Sequence, residues 1–273
     1  MKSANFSYIR PSSLKEAATI LSADTDAVPV SGGQSLIPLM SLRMSTCSQL
    51  VDLARLPDLQ ICKESATHVT IGAGITHAMI EDGRVPDPAR GMMQKAARHI
   101  AYRAVRCHGT IGGSVAMADP AADWPCILLA LDAHVLLFSS KGERRIALDD
   151  FLRSTYETAI AAGEIIVAFE IPKLPESART ATSKVNRKTG AFADAFAAAV
   201  LNGSQSRVTA GAIGTRAHIL HETSKALAAK CPEKDLVALI ERDISPLIDP
   251  ADAYKKHLHM TNIRRAIAEV TRP

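Results

Sequence analysis

Two glycine-rich segments carry residue types that suit an anionic ligand. The first is Ser31-Gly32-Gly33-Gln34-Ser35-Leu36, where hydroxyl and amide side chains follow a Gly-Gly pair. The second is Gly109-Thr110-Ile111-Gly112-Gly113-Ser114, with three glycines and two hydroxyls. Glycines let backbone amides approach a phosphate closely, and the polar side chains add donors. Two such loops can clamp a diphosphate, although each alone is equally compatible with a plain turn between a strand and a helix.

Neither glycine-rich segment matches the commonest phosphate-binding motifs. Neither contains G-x-G-x-x-G, and neither ends in Gly-Lys-Ser/Thr, so a Rossmann or nucleoside-triphosphatase assignment lacks its motif. Downstream, the segment Ala118–Pro125 offers Asp119 and Asp123, either of which can cap a helix or accept hydrogen bonds from ribose hydroxyls. The residues alone leave both roles open.

The composition is that of a soluble globular protein. The 273 residues are 47% hydrophobic and 4% aromatic, with 32 basic and 28 acidic residues, so there is no nucleic-acid footprint. The segment Met1–Tyr8 has no apolar signal core, and the apolar run Cys126–Leu131 is too short to span a bilayer. The five cysteines are scattered without a C-x-x-C pair, which predicts a reducing, cytoplasmic location and neither disulfides nor a metal site.

The hydrophobic pattern predicts alternating strands and helices in the first part of the chain. Strands are predicted at Ala27–Ser31, Gln49–Asp52, Val69–Ala73, Val135–Ser139 and Ile165–Ile171. Helices are predicted at Ser13–Ser22, His77–Asp82, Arg90–His99 and Trp124–Leu131. The first helix begins with a Ser-x-x-Glu capping box, in which Glu16 is expected to reach back to the amide of the capping serine, Ser12 or Ser13.

A domain boundary is predicted where two prolines interrupt regular structure, at Pro172–Ser177. This gives a first domain of residues 1–172 and a smaller α+β domain of residues 173–273. Strands of the second domain are predicted at Ser183–Asn186, Ala193–Val200 and Val208–Ile213. Helices are predicted to follow at His221–Ala229, Lys234–Arg242 and Ala251–Val270.

Three ordered motifs together resemble the FAD-binding (medium) subunit of molybdenum hydroxylases, the family of aerobic carbon monoxide dehydrogenase and xanthine dehydrogenase. They are Gly32–Met40, Gly109–Ser114 and Ala118–Pro125. The resemblance begins at Phe6–Pro11, includes Val51-Asp52-Leu53 and Ile71–Gly74, and continues more weakly through the last hundred or so residues. It implies an α+β fold: a p-cresol-methylhydroxylase-type FAD-binding domain of two α/β subdomains, followed by a C-terminal domain of the carbon monoxide dehydrogenase flavoprotein type.

The resemblance also implies roles for individual residues around FAD. Residues Ser31–Leu36 and Gly109–Ser114 are expected to hold the diphosphate, and Asp123 to contact the ribose on the adenosine side. Ile100 and Ile166 are expected to flank the ring systems, although burial in the core is the ordinary place for isoleucine. Lys184 stands where the family has a lysine near the flavin. A solvated surface lysine, or a docking patch shared with Arg187 and Lys188, are the other interpretations.

The sequence departs from the family at several positions. Ile100-Ala101-Tyr102 stands where the family often has Ile-Gly-His, and Cys107-His108 replaces a common Asn-Arg. The segment Gly211–His218 departs from the family's glycine-rich, Thr-Pro-containing pattern, so its partner contacts are expected to differ. Three histidines, His77, His99 and His108, lack ligand spacing and are expected to have surface or structural roles.

The implied function is that of a flavoprotein oxidoreductase subunit whose only redox centre is FAD. A molybdopterin-containing large subunit would oxidise the substrate, and a small subunit with two [2Fe-2S] clusters would pass electrons to FAD. The final acceptor would be NAD, quinone or another carrier. No acid or base residue is required, because the cofactor supplies the chemistry. Two alternatives are a self-contained flavin oxidoreductase on the same fold and an assembly module that has lost FAD.

Overall fold

The computed structural model describes residues 2–272, so Met1 and Pro273, the outer ends of the two predicted domains, lie outside the described residues. The first sheet comprises β1 (Ser7–Ile9), β2 (Ala27–Val30) and β3 (Gln49–Asp52). Its strands are parallel in the order β1-β3-β2. The first glycine loop begins at Ser31, directly after the end of β2.

The second sheet is antiparallel, and a small hairpin accompanies it. The strands before the hairpin are β4 (Cys62–Glu64), β5 (His68–Gly72), β6 (His134–Ser139) and β7 (Gly142–Ala147). The hairpin is β8 (Leu152–Ser154) with β9 (Glu157–Thr158), and the last strand is β10 (Ile165–Pro172). The sheet order is β4-β5-β10-β6-β7, which puts β10 at the centre.

Eight helices connect these strands within the described part of the chain, together with a 3-10 turn at Pro57–Gln60. The first four are α1 (Leu14–Ala23), α2 (Leu36–Ser41), α3 (His77–Glu81) and α4 (Met92–Ala97). The next four are α5 (Arg103–Arg106), α6 (Ile111–Met117), α7 (Asp123–Ala130) and α8 (Leu148–Phe151). The main hydrophobic core forms where α4, α6 and α7 pack over the second sheet.

The remaining chain forms a third sheet covered by helices. The strands are β11 (Arg179–Val185), β12 (Ala195–Leu201), β13 (Arg207–Gly211) and β14 (His218–Ile219), antiparallel in that order. The helices are α9 (His221–Ala228), α10 (Glu233–Ile244) and α11 (Ala253–Thr271), with a 3-10 turn at Ser245–Leu247. Mixed sheets and helices throughout the described residues confirm the predicted α+β class.

Helix α7 is one of the elements that join the third sheet to the rest of the described chain. All eight of its residues are buried, because it packs against α6 on one side and against β12 and β13 on the other. The hydroxyl of Thr209 on β13 donates to the carbonyl oxygen of Cys126 over 2.9 Å. The first residue of α7, Asp123, is therefore held between the main hydrophobic core and the third sheet.

The start of α1 corrects one detail of the predicted capping box. Ser13 is the capping residue, and its Oγ accepts from the amide of Glu16 over 3.2 Å. The Glu16 carboxylate accepts from the amide of Ser12 over 2.7 Å and not from the amide of Ser13. A carboxylate one residue further out still satisfies an exposed amide at the helix start. The buried face of α1 follows helical spacing, at Leu14, Ala17, Ala18 and Leu21.

All the strands and helices predicted from the hydrophobic pattern are present, with ends shifted by a few residues. The largest shift is at β11, which begins at Arg179 and not at Ser183. Several short elements were not predicted, among them α2 and α6. Both begin inside the glycine-rich segments, where the low helix propensity of glycine hides them.

Candidate functional site

The two glycine-rich loops meet directly in the folded chain. The hydroxyl oxygens of Ser31 and Thr110 lie 3.1 Å apart. A Cβ added to Gly32 would overlap the carbonyl oxygen of His108 and would lie 2.9 Å from Cα of Gly109. Any side chain at position 32 would push the loops apart, so these glycines allow two backbones to come into contact.

Each loop leads into the start of a helix. Ser35 precedes α2, and Thr110 caps α6 by accepting from the amide of Gly113 over 3.0 Å. The second segment was expected to be a loop throughout, but residues 111–114 form the first turn of α6. The amides in the first turn of α6 are already paired. Those of Ile111 and Gly112 donate to the carbonyls of Ile75 and Ala73 over 3.0 and 2.9 Å, and those of Gly113 and Ser114 donate to Thr110. These bonds hold the second loop against the chain that follows β5.

The remaining residues of the loops divide between exposed donors and packing positions. Gln34 and Ser35 are exposed, and Gln34 Nε2 donates to the carbonyl of Gly32 over 3.0 Å. Gly33 has a φ of 68°, in the left-handed region that favours glycine. Gly112 is buried against Ala73. A Cβ at position 112 would lie only 2.6 Å from the Cβ of Ala73. The glycine at 112 thus serves close packing of α6 on the chain after β5.

An ion pair lies at the start of α7. Lys184 Nζ is 2.9 Å from Oδ1 and 3.0 Å from Oδ2 of Asp123, and it also donates to the carbonyl of His99 over 3.2 Å. The side chains of Lys184 and Asp123 are only 11% and 6% exposed. Burial raises the pKa of Asp123, and the charge of Lys184 opposes that rise. Lys184 is therefore not the solvated surface lysine that was one alternative, whereas Arg187 and Lys188 are exposed.

The two aspartates of Ala118–Pro125 have different environments. The residue at the cap of α7 is Ala122, and Asp123 makes no cap hydrogen bond because its carboxylate faces Lys184. Asp119 accepts from the amide of Ala121 over 2.8 Å and so shapes the turn before the helix. The capping role that the sequence left open for Asp123 is absent, and its carboxylate is placed for a cation or a ligand.

A cavity of about 200 Å³ opens beside this ion pair. It lies between α4, the start of α7 and the third sheet, and its lining includes Asp123, Lys184, His99, Asn186, Gly190 and Phe196. A neighbouring cavity of about 240 Å³ shares His99 and Thr182 with it. A planar ligand group that entered this crevice would contact residues from both parts of the chain.

The predicted ring-flanking isoleucines lie in or against the main core. Ile166 is 6% exposed and belongs to that core, whereas Ile100 is partly buried and packs on its edge. Arg106 donates to the carbonyls of Ile100 over 2.8 Å and Ala101 over 3.1 Å. Ala101 has a φ of 42°, so the alanine that replaces the family's glycine adopts the backbone region that glycine favours. Gly190 packs on it, since a Cβ at 190 would lie 2.8 Å from the Ala101 carbonyl oxygen.

The three histidines were expected to have surface or structural roles, and one of them, His77, is buried beside the second glycine loop. His99 and His108 are exposed, but His77 is 6% exposed and its Nδ1 accepts from Trp124 Nε1 over 2.9 Å. Burial, with the charge of Arg106 nearby, lowers the pKa of His77 to about 4. His77 directly follows Thr76, the cap of α3, and nothing in the sequence around it indicates a bond to Trp124, 47 residues away.

Two properties of the described residues complete the description. Among residues 2–272, no helix is both long and apolar enough to cross a membrane. The same residues contain no group of three or more His, Cys, Asp or Glu side chains placed to hold a metal ion.

The class of protein, a flavoprotein domain, follows from a family model that covers both glycine loops and Asp123. The family model for the FAD-binding domain in molybdopterin dehydrogenase matches residues 4–174. The chain thus belongs to the FAD-binding subunits of the molybdenum hydroxylases, as the motifs predicted, and is an oxidoreductase subunit whose cofactor is FAD. The residues present fit that cofactor, because the glycines at 32 and 109 bring the two loops together and Gln34 and Ser35 expose polar side chains on the first loop.

Individual relatives agree with this assignment. The chain is 36% identical to the 6-hydroxypseudooxynicotine dehydrogenase complex subunit alpha of Paenarthrobacter nicotinovorans, over 90% of this chain and 81% of that protein. It is 34% identical to the carbon monoxide dehydrogenase medium chain of Afipia carboxidovorans, over 96% of each chain. The solved carbon monoxide dehydrogenase from Hydrogenophaga pseudoflava matches with a TM-score of 0.92 and 29% identity, over 99% of this chain and 98% of that one.

Proposed function

We propose that this chain is the electron-transfer subunit of a molybdenum hydroxylase complex. In that complex, a molybdopterin-containing large subunit oxidises the substrate and a small subunit with two [2Fe-2S] clusters delivers the electrons. FAD, when bound here, supplies the redox chemistry and passes the electrons to NAD, quinone or another carrier. The names of two relatives, a "complex subunit alpha" and a "medium chain", support an assembly with further chains.

The observation that carries the proposal is the direct contact between the two glycine loops at Ser31 and Thr110. The exposed polar side chains and glycine backbone of the first loop would hold the diphosphate, with the second loop beside them at Thr110, since donors on a glycine-rich loop favour phosphate. The diphosphate-holding residues would be Ser31, Gly32, Gly33, Gln34, Ser35, Leu36, Gly109, Thr110, Ile111, Gly112, Gly113 and Ser114.

The ion pair and the crevice beside it would hold the rest of the cofactor. Asp123 would accept from the ribose on the adenosine side, and Lys184 would present a positive charge close to the ring systems. A fixed cation stabilises negative charge that develops on a reduced ring system, and the carboxylate of Asp123 compensates part of the charge of Lys184. Ile100 and Ile166 would contribute apolar contacts. The chain's own groups would thus bind and orient FAD, and no acid or base residue is invoked.

We also propose a division of the chain at residue 172, into an FAD-binding domain (1–172) and a C-terminal domain (173–273). The central strand β10 ends at Pro172, and β11 of the separate third sheet begins at Arg179. The C-terminal domain would close the cofactor crevice, because Lys184 on β11 reaches Asp123 on α7.

The test is electron delivery within the native complex. The complex would be purified through a tag on this chain, analysed for molybdenum, iron and flavin, and reduced anaerobically through its partner chains. Bleaching of the flavin absorbance band after reduction of the iron–sulfur clusters would support the proposal. A preparation of this chain that carries flavin but no associated molybdenum or iron would contradict it, as would clusters that stay reduced beside oxidised flavin.

A further inference from the structure

His77 and Trp124 form a buried hydrogen-bonded pair behind the second glycine loop. The indole N–H can only donate, so Nδ1 of His77 must accept and cannot carry a proton. A neutral imidazole then carries its proton on Nε2. The hydrogen bond to Trp124 therefore sets the tautomer of His77 and leaves Nε2–H as a donor.

That donor lies against the second glycine loop. A Cβ added to Gly109 would be 2.9 Å from Nε2 of His77, so the ring fills the space next to the Gly109 backbone. The backbone amide of His77 also donates to the carbonyl of Gly109 over 2.9 Å, which ties the start of α3 to the loop. The loop and the imidazole are thus held in one arrangement.

Nε2 has no partner of its own within the described residues. Among the described residues, only Trp124 makes a side-chain hydrogen bond to His77, at Nδ1, and the residue is 6% exposed. Nε2 is not sealed from solvent, so water can accept its hydrogen bond in the cofactor-free chain. A ligand oxygen at the second glycine loop can take the place of that water.

We infer that His77 is a further FAD-positioning residue, whose Nε2–H donates to a non-bridging diphosphate oxygen of FAD at Gly109–Thr110. The inference rests on the proposed binding of the diphosphate by the two loops. A neutral imidazole gives a directed hydrogen bond without adding net charge. Its contribution to FAD affinity is therefore expected to change little with ionic strength, unlike that of a lysine or arginine.

Two substitutions separate the two nitrogen atoms of the ring. In His77→Asn the side-chain oxygen can replace Nδ1 as acceptor for Trp124, but nothing replaces Nε2. In His77→Gln the longer amide can replace the Nε2 donor, but the Nδ1 acceptor is lost. Trp124 is the only tryptophan of the chain, so its emission reports directly on the second bond.

The experiment is FAD titration of the wild type and both variants at low and high salt, with melting curves of the FAD-free proteins. We expect His77→Asn to weaken FAD binding roughly 10- to 100-fold, as for loss of a hydrogen bond to a charged group, at both salt concentrations. We expect His77→Gln to keep more FAD affinity and to change the Trp124 emission more. Equal affinity of His77→Asn and wild type, or the reverse order of the variants, would overturn the inference.

A measurement on the wild type covers the case in which neither variant folds. Nitrogen-15 NMR of histidine-labelled protein resolves the protonated ring nitrogen of His77, and FAD is expected to shift that resonance and slow its proton exchange. An unchanged Nε2 resonance in FAD-loaded protein would overturn the inference about His77 but not the proposed function. Wild type that takes up no FAD at all would overturn the proposed function as well.

Discussion

The ammonium of Lys184, on β11, lies within 3.0 Å of both carboxylate oxygens of Asp123, at the start of α7. The pair joins the third sheet to α7, the helix that follows α6 in the chain. Both side chains are nearly buried, so each charge depends on the other for compensation. The crevice proposed for FAD therefore has one wall from each part of the chain.

Removing one partner of this pair should cost much more than removing both. Lys184→Met leaves a buried carboxylate, and we expect the free energy of unfolding of the FAD-free protein to fall by about 3–5 kcal/mol. The double variant Lys184→Met/Asp123→Asn should recover part of that loss. Urea denaturation of the four proteins of the cycle measures the coupling.

The matched control for the cycle is an exposed ion pair. Arg145 and Glu170 lie 2.8 Å apart, with side chains 49% and 27% exposed. Arg145→Met should therefore cost less than about 1 kcal/mol. Single substitutions at Lys184 and Asp123 whose costs simply add would refute the coupling.

The stability of the protein should decrease on mild acidification. The pKa of His77 is about 4 in the folded chain, below its ordinary value of 6.5, so the unfolded chain binds more protons between these values. The free energy of unfolding therefore falls as the pH drops from 6.5 towards 4, and the full loss from this residue is on the order of 3 kcal/mol. Denaturation at several pH values, followed by Trp124 emission, measures the slope.

The control for this pH dependence is His77→Asn, which removes the titrating ring and should reduce the slope. Burial also lowers the pKa values of His218 and His259 to about 4, so part of the slope should remain in the His77 variant. A slope identical in wild type and His77→Asn would contradict the account of His77.

Ala101→Gly should stabilise the protein. A left-handed backbone costs alanine roughly 1–2 kcal/mol, and the greater freedom of glycine in the unfolded chain cancels about 0.4–1 kcal/mol of the gain. The expected net effect is a gain of up to about 1 kcal/mol in the free energy of unfolding. Ala268→Gly, at an exposed position of α11, should instead destabilise by about 1 kcal/mol. Thermal unfolding of both variants checks the sign, and a lower melting temperature for Ala101→Gly would refute the strain at Ala101.

Much of the fold could be predicted from local sequence patterns. The β-branched, extended character of Ala27–Ser31 and Ile165–Ile171 predicted β2 and β10, because buried strands are rich in such residues. The helix α6 was hidden, because Gly112 and Gly113 in its first turn have low helix propensity. Its glycine at 112 is explained by packing on Ala73, which sequence cannot reveal.

The site was predictable as a set of motifs, but not as a set of contacts. The ion pair of Asp123 and Lys184 joins residues 61 apart, and the Trp124 bond to His77 spans 47. Such contacts depend on the packing of α7 between the main core and the third sheet. The sequence alone therefore left several roles open for Asp123 and Lys184, and it did not indicate the bond between His77 and Trp124.

The central claim is that the two glycine loops form one FAD clamp, and Gly32→Ala tests it most directly. FAD affinity should be measured for this variant and for Gly203→Ala, where a Cβ meets nothing within 4 Å and the φ of 52° adds only backbone strain. The account predicts that Gly32→Ala weakens FAD binding roughly tenfold or more, because the new Cβ separates the loops, while Gly203→Ala binds within about twofold of wild type. FAD affinity unchanged in a folded Gly32→Ala protein would contradict the account.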